Sequence, residues 1–318
     1  MIVGDVVADQ FLNGTISRVS REAPVFIVRH DETQTRPGAA SNTAANVAAL
    51  GGIAALIGIV GDDENGELLV SSLRTSVETD SIQRVPGMRT TTKVRVIAGQ
   101  HFAARQQMIR IDYEGSKNDI DDGTRARLAE RLTHEAASAD AIVISDYGYG
   151  VVTPELFARA RDLSASRKIP LIVDSRFRLN EFFGATSATP NQDEVEQILG
   201  SGFTDTDCER LRETLGLEAL LITRRNKGML LIEAGRQPLT IEAVGSTEPV
   251  DVTGAGDTVI AAYALGLAGG SSFAEAAAIA NHAGSIVVMK KGTATASAEE
   301  LSRSIREHPQ IPHAAPAN

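Results

Sequence analysis

The segment Asp251-Val-Thr-Gly254-Ala255-Gly256-Asp257-Thr-Val-Ile sets a Gly-Ala-Gly turn directly before an apolar, Ala-rich helical pattern, with a carboxylate at the junction. Free amides at a helix start attract anions, and the helix dipole adds to that attraction. A carboxylate beside such an anion hole repels the anion, so its presence calls for a chemical role. Accepting the proton of a hydroxyl that attacks a phosphoryl group is one such role. In that reading the amides of Gly254, Ala255 and Gly256 stabilise charge on the phosphoryl group in flight, and the glycines allow close backbone approach. The plain alternative is a surface loop with Asp257 as helix cap. A dinucleotide fingerprint fails, because its third glycine falls at Val259. A Walker-type phosphate loop is absent from the sequence.

The elements that would hold this turn follow from the hydrophobic rhythm. Ile2–Asp5 reads as the end of a buried strand running into a turn, and Pro24–Arg29 as another strand. Ser41–Leu50 reads as a helix ended by Gly51-Gly52, followed by a buried strand at 55–60 and a helix at 65–75. From residue 124 onward, helices at 124–137, 154–166, 192–199 and 206–215 alternate with strands at 141–145, 170–174 and 219–223. That alternation predicts a mostly parallel sheet with helices on both faces. Strands at 229–233 and 238–242 are expected to be antiparallel neighbours. Helices are expected near 257–267 and 273–289, the second opened by a Ser272/Glu275 capping box. Thr91–Ile97 and Gln107–Asp112 alternate polar and apolar residues, with a turn candidate at Ala98–His101. This predicts an exposed antiparallel ribbon, joined by the strand near Val25, that forms a small lid.

Composition bounds the rest. The 318 residues are 42% hydrophobic, enough for one α/β domain, expected over residues 1–306. A net charge of −10 argues against nucleic acid and anionic membranes as partners. The single cysteine, Cys208, allows no internal disulfide and fits a reducing cytoplasm. The N-terminus shows no signal-peptide pattern, and the most apolar stretch, 46–61, is too short to span a bilayer. Residues 307–318 are rich in Pro and Ala and are expected to be disordered.

Two spaced segments carry a resemblance. Arg36-Pro-Gly38-Ala-Ala-Ser-Asn42-Thr-Ala44, continuing to Gly51 and Gly61, resembles the first signature of the ribokinase/PfkB carbohydrate kinases, and Asp251–Ala264 resembles the second. The likeness runs over about residues 2–300. It implies a ribokinase-like three-layer α/β/α sandwich with a mostly parallel central sheet and a small β lid, here segments 11–36 and 88–113. It implies ATP with Mg²⁺ as cofactors, K⁺ as a further one, and Asp257 as catalytic base beside the Gly254–Gly256 amides. Asp9, Gly38, Asn42, Arg110 and Asp146 would bind the sugar. Asn191, Glu194, Thr223, Gly228 and Asn281 would bind the nucleotide, Glu194 supporting Mg²⁺ through water. Asp251 and Thr253 would supply carbonyls to a monovalent cation.

Each landmark also has a bland reading. Asp9 and Asp146 suit turns at strand ends, Asn191 suits a helix cap, Arg224 and Lys227 suit a solvated basic loop, and Asn281 suits a satisfied buried amide. Their order along one α/β chain, at the carboxyl ends of strands, favours the functional reading.

Finer features resemble the bacterial D-glycero-β-D-manno-heptose-7-phosphate kinases: Ile16–Val25, Thr92–Val96, Arg105–Asp112 and Ser145–Gly150. That likeness implies conversion of the heptose 7-phosphate to the 1,7-bisphosphate. Arg18, Arg21, Arg105 and Arg110 lie in or near the proposed lid and would meet a phosphate. Such enzymes are often fused to a nucleotidyltransferase, and a stand-alone kinase is expected here. Three departures stand out: Ala39 where the pattern has a second glycine, Tyr149 where it has a lysine, and Asp174-Ser-Arg176 for Asp-Pro-Lys. The alternatives are a kinase of another sugar (ribose, fructose or ketodeoxy-acid type), a nucleoside kinase, and a non-catalytic sugar or nucleotide sensor on the same fold. A homodimer formed through the lid is expected.

Overall fold

The computed structural model describes residues 1–100, 105–245 and 248–310. Its first half holds β1 (Ile2–Gly4), β2 (Val6–Val19), β3 (Phe26–Ala39), α1 (Ala40–Ala49), β4 (Ala54–Gly61) and α2 (Glu64–Leu73). Next come β5 (Val77–Glu78), β6 (Ile82–Val85), β7 (Thr92–Gly99), β8 (Gln106–Tyr113) and α3 (Asp122–Ala136). The second half alternates: β9 (Ile142–Asp146), α4 (Pro154–Arg167), β10 (Leu171–Ser175), β11 (Ser187–Ala188), α5 (Gln192–Leu199), α6 (Asp205–Leu215) and β12 (Ala219–Thr223). It ends with β13 (Met229–Glu233), β14 (Leu239–Ile241), α7 (Ala255–Ala268), α8 (Phe273–Val287) and α9 (Ala298–Glu307).

The central sheet runs β14-β13-β12-β11-β10-β9-β1-β4-β5, with β6 also on β4. All its pairs are parallel except β12–β13 and β13–β14. Side chains of each strand alternate between two cores. In β9, Val143 packs on the side of Ile260 and Tyr263 of α7, while Ile142 and Ile144 pack on the side of Leu128, Leu156 and Phe157 of α3 and α4. Helices therefore cover both faces, the α/β/α sandwich that the alternation predicted. Among the described residues, no helix is long and apolar enough to cross a membrane.

The lid is a second sheet, ordered β3-β2-β7-β8. The ribbon of β7 and β8 is antiparallel, as the alternation predicts. The strand near Val25 does not join it directly. β2 lies between, antiparallel to β3 and parallel to β7. Sequence reading missed β2 because Asp9, Gly14 and a polar stretch interrupt its apolar pattern, and one long strand here leaves the central core and becomes the lid. The turn candidate at 98–101 is also displaced: Ala98 and Gly99 belong to β7, and His101 lies outside the described residues. Within the expected tail, Glu307 closes α9 and Gln310 bonds the Glu242 carbonyl at 2.6 Å, while 311–318 lie outside the described residues.

Candidate active site

Helix α7 begins at Gly254, whose φ of +78° suits only glycine comfortably, and no side chain caps this end. Asp257 is the third helical residue, and its carboxylate turns away from the helix amides. Asn42 Nδ2, on α1, donates to Oδ2 at 2.8 Å, and Tyr147 OH, after β9, donates to Oδ1 at 2.9 Å. Asn42 is itself steadied by Asn46 Nδ2, which donates to its Oδ1 at 3.2 Å. The capping alternative for Asp257 therefore falls. The carboxyl is 3% exposed, and burial pushes it up to about 7 despite the two donors. A base poised there suits proton transfer near neutral pH.

Tyr147 was not singled out from the sequence. Its loop is fixed by Asp5 at the end of β1, which accepts from the amides of Tyr147 (2.8 Å), Tyr149 (3.0 Å) and Val151 (3.1 Å). Burial raises the Asp5 carboxyl to about 6, with Asp146 adding to the rise. A strand-end Asp followed by a Tyr on a parallel neighbour is the only sequence trace of this clamp.

On the lid side, Asp9 of β2 is buried and ion-paired with Arg95 of β7 at 2.5 Å. Gly38, across the strand pair, is required there: a Cβ would sit 2.7 Å from Asp9 Oδ2. Burial raises the Asp9 carboxyl, and Arg95 opposes that rise. Arg110 of β8 pairs with Asp112 at 2.8 Å, and Arg105 with Asp31 at 2.6 Å. Arg18 sits at the far end of β2, roughly 30 Å along the strand from Asp9, so the four lid arginines do not converge. Asp146 is 1% exposed, and its carboxylate is taken by Ser175 Oγ (2.7 Å) and the Arg178 guanidinium (2.5 Å). In this geometry it braces the loop holding Tyr147 and is not open to a sugar.

On the other side of Asp257 lies a cavity of about 640 Å³. Asn191, Thr223, Gly228 and Asn281, predicted to bind nucleotide, all line it, together with Ala255 and Gly256 of the turn. Asn191 caps α5 in a reciprocal box with Glu194, so the bland reading holds for its side chain even though the residue borders the cavity. Asn281 donates to the Glu242 carbonyl at 2.7 Å and to Gln310 Oε1 at 2.9 Å. Asp251 uses its carboxylate to fasten loops, accepting from Thr253 N and Oγ1 and from Gly292 N.

Ala39 has φ 52° and ψ −133°, a backbone region costly for any residue with a Cβ. It marks the position where the resembled signature has glycine. Ala39→Gly is expected to stabilise the fold by about 1 kcal/mol, after allowing for glycine's extra unfolded freedom. Thermal unfolding checks this, and an unchanged or lower Tm would refute the strain.

A turn with a buried base, a nucleotide-sized cavity on one side and a charged lid on the other frames the comparisons with known proteins. The model of the pfkB family carbohydrate kinases matches residues 5–300. The chain belongs to the pfkB family of carbohydrate kinases. As a pfkB kinase it is a carbohydrate kinase. It is 39% identical over 313 residues to the bifunctional protein HldE of Hahella chejuensis, covering 96% of this chain and 63% of that protein. It is 42% identical over 307 residues to the bifunctional protein HldE of Chromohalobacter salexigens, covering 95% and 62%. The pfkB kinase thus spans less than two thirds of the length of these relatives.

Among solved structures, the pfkB kinase superposes on Arabidopsis thaliana ribokinase complexed with ribose and ATP. The TM-score is 0.72 at 20% identity, with 96% and 97% of the two chains covered. It also superposes on Escherichia coli phosphofructokinase-2 in complex with substrates and products, with TM-score 0.76, 20% identity, and 97% and 98% covered. At these identities the likeness shows a shared ribokinase-like fold.

Proposed function

We propose that this pfkB kinase transfers the γ-phosphoryl group of ATP to a hydroxyl of a sugar phosphate. The first acceptor to test is D-glycero-β-D-manno-heptose 7-phosphate, giving the 1,7-bisphosphate. The observation that carries the reading is the position of Asp257, a buried carboxyl near neutrality that adjoins both the cavity and the lid.

In this mechanism Asp9 accepts hydrogen bonds from acceptor hydroxyls, and Asn42 and Gly38 shape the space around it. Asp257 takes the proton of the attacking hydroxyl, and Asn42 and Tyr147 hold its two oxygens in register. The Gly256 amide, at the cavity wall, stabilises the charge of the transferred group, while the Ala255 amide donates to the Val252 carbonyl at 3.2 Å and holds the turn. Asp146, through Arg178 and Ser175, positions the Tyr147 loop. Thr223, Gly228 and Asn281 bind the nucleotide along the cavity.

The residues also fit Mg²⁺ held largely through water. The Asp174 carboxyl is pushed well up by burial and by the neighbouring carboxylates of Glu194, Asp257 and Asp146. Among the described residues, no group of three carboxylates, imidazoles or thiols could hold a metal directly. Hard oxygen donors with retained water suit Mg²⁺, which neutralises phosphate charge when bound. In this reading the carbonyls of Asp251 and Thr253 coordinate K⁺, while the Asp251 carboxylate fastens the loop that presents them. A cytoplasmic location fits the single, buried Cys208 thiol.

The test is ADP formation with Mg²⁺ and a panel of sugars and sugar phosphates. Ligand binding without turnover on any of them would sink the kinase reading in favour of a sensor.

A lid-mediated homodimer accompanies this reading. The outer face of the lid aligns Leu12, Val96 and Ile109 across three strands, with Val94 and Ile111 beside them. Ile109 and Ile111 are 56% and 42% exposed, more apolar surface than a lone sheet edge favours. Replacing both with lysine is expected to halve the mass in light scattering, and an unchanged mass would place any dimer elsewhere.

A further inference from the structure

The inner face of the lid is a field of cations over Asp257. Register across β3, β2, β7 and β8 puts Arg36, Asp9, Lys93 and Asp112 in one row. Residues opposite one another across a sheet share a face, as do residues two apart along a strand, so Arg95 and Arg110 stand on the same side. Most of these cations are committed. Arg95 pairs with Asp9, Arg110 pairs with Asp112, and Arg36 donates to the carbonyls of Lys291 and Thr293 at 3.1 and 3.2 Å.

Lys93 is different. Its side chain is almost wholly buried, with the residue 9% exposed. Among the described residues its ammonium forms no ion pair or hydrogen bond. It lies over the rings of Tyr147 and Tyr149, 5.2 and 5.6 Å from their centroids. An ammonium taken from water without an anion or acceptor is costly, and aromatic faces compensate only in part. The Tyr147 hydroxyl beneath it is the one that holds Asp257. The cation is therefore aimed into the space between the lid and the base, where an acceptor must lie. Burial lowers the Lys93 ammonium's pKa, and Asp9 opposes that shift.

We propose that Lys93 is the specificity residue for a negatively charged acceptor: its ammonium donates to a phosphate oxygen of the acceptor and selects phosphorylated sugars over neutral ones. Asp9 and Asp112, its row neighbours, are already neutralised by arginines, so the added anion completes the lid's charge balance. This rests on the kinase reading above and goes further by naming the residue that sets the acceptor class.

The experiment compares the unaltered protein with Lys93→Met and Lys93→Arg. Hexose and heptose phosphates are each assayed beside their unphosphorylated sugars. Lys93→Met is expected to raise KM for the phosphorylated acceptor at least tenfold while KM for ATP stays within twofold. The preference for phosphorylated over neutral sugar should shrink by the same factor, and Lys93→Arg should recover most of it. Methionine matches the lysine stem and removes a buried charge, so the fold is expected to survive. Unchanged acceptor KM, equal losses for both acceptor types, or an unfolded Lys93→Met protein would each overturn the inference while leaving the kinase reading intact. Failure of the unaltered protein to form ADP with every acceptor would bring down both.

Discussion

Asp257→Asn is expected to lower kcat by a factor on the order of 10²–10⁴, the range for loss of a general base, while ATP binding changes little. The substitution keeps the shape. Asn42 Nδ2 still finds an amide oxygen, and the new amide can face the Tyr147 hydroxyl, which accepts as well as donates. What disappears is the group that receives the proton. The pH profile gives a second reading of the same residue. With the Asp257 carboxyl pushed up to about 7, kcat/KM of the unaltered protein should rise as pH increases through 7, and the residual rate of the variant should lack that limb.

Stability runs the other way. The folded-state value lies above the unfolded value, so between about 4 and 7 the native state holds a proton that the unfolded chain releases. The charged carboxylate therefore weakens the fold at the pH where it works, and at pH 8 Asp257→Asn should melt no lower than the unaltered protein. A variant with kcat within tenfold of normal, or with the acid limb retained, would remove Asp257 from the role of base.

The parts of this molecule that were legible in the sequence are those governed by local periodicity. The strands and helices from residue 124 onward appear within a few residues of where apolar spacing sets them, because β9, β10 and β12 are short apolar runs buried on both faces and helices such as α3 and α6 present one apolar stripe. Helix α9 was legible and overlooked: Ser297 and Glu300 form the same reciprocal cap as Ser272 and Glu275. β11, only two residues long, carries too little pattern to see. The lid was legible in β7, β8 and the start of β3, which the strand pattern at Pro24–Arg29 marks. In β2 the buried Asp9 and in β3 Asp31 and Arg36 stand where an apolar residue would be expected, and they break the alternation that would mark a strand. The same cause hid the site residues that sequence reading missed. Tyr147 and Lys93 acquire meaning only when β2, β7 and the loop after β9 come together, contacts between residues far apart in the chain. Asp146 shows the converse: its place at a strand end was readable, but its pairing with Arg178 depends on a loop whose path local pattern does not fix.

Gly254→Ala should nearly silence the enzyme although it adds only one methyl group. Gly254 has φ +78°, and an alanine held there costs about 1–2 kcal/mol of backbone strain. Sterics add to this, since the new Cβ would run into Asn42 Nδ2 and would sit 3.4 Å from Thr293 Cγ2. Asn42 cannot simply retreat. It is 2% exposed on α1, and Asn46, itself fully buried, grips its Oδ1 from behind. The strain must instead pass to the bonds that Nδ2 makes, one to Asp257 Oδ2 at 2.8 Å and one to the Gly254 carbonyl at 3.4 Å. Moving the base by a fraction of its reach misaligns proton transfer, and about 1 Å of misplacement is worth roughly 100-fold in rate. The expected result is a kcat about 100-fold lower, with a lowered Tm. Gly256→Ala supplies the contrast in stability: a Cβ there meets nothing within 4 Å, so its Tm should stay close to normal. If Gly254→Ala keeps both its Tm and its kcat, Asn42 is not the rigid link between the turn and the base, and the tight placement of Asp257 must come from Tyr147 alone.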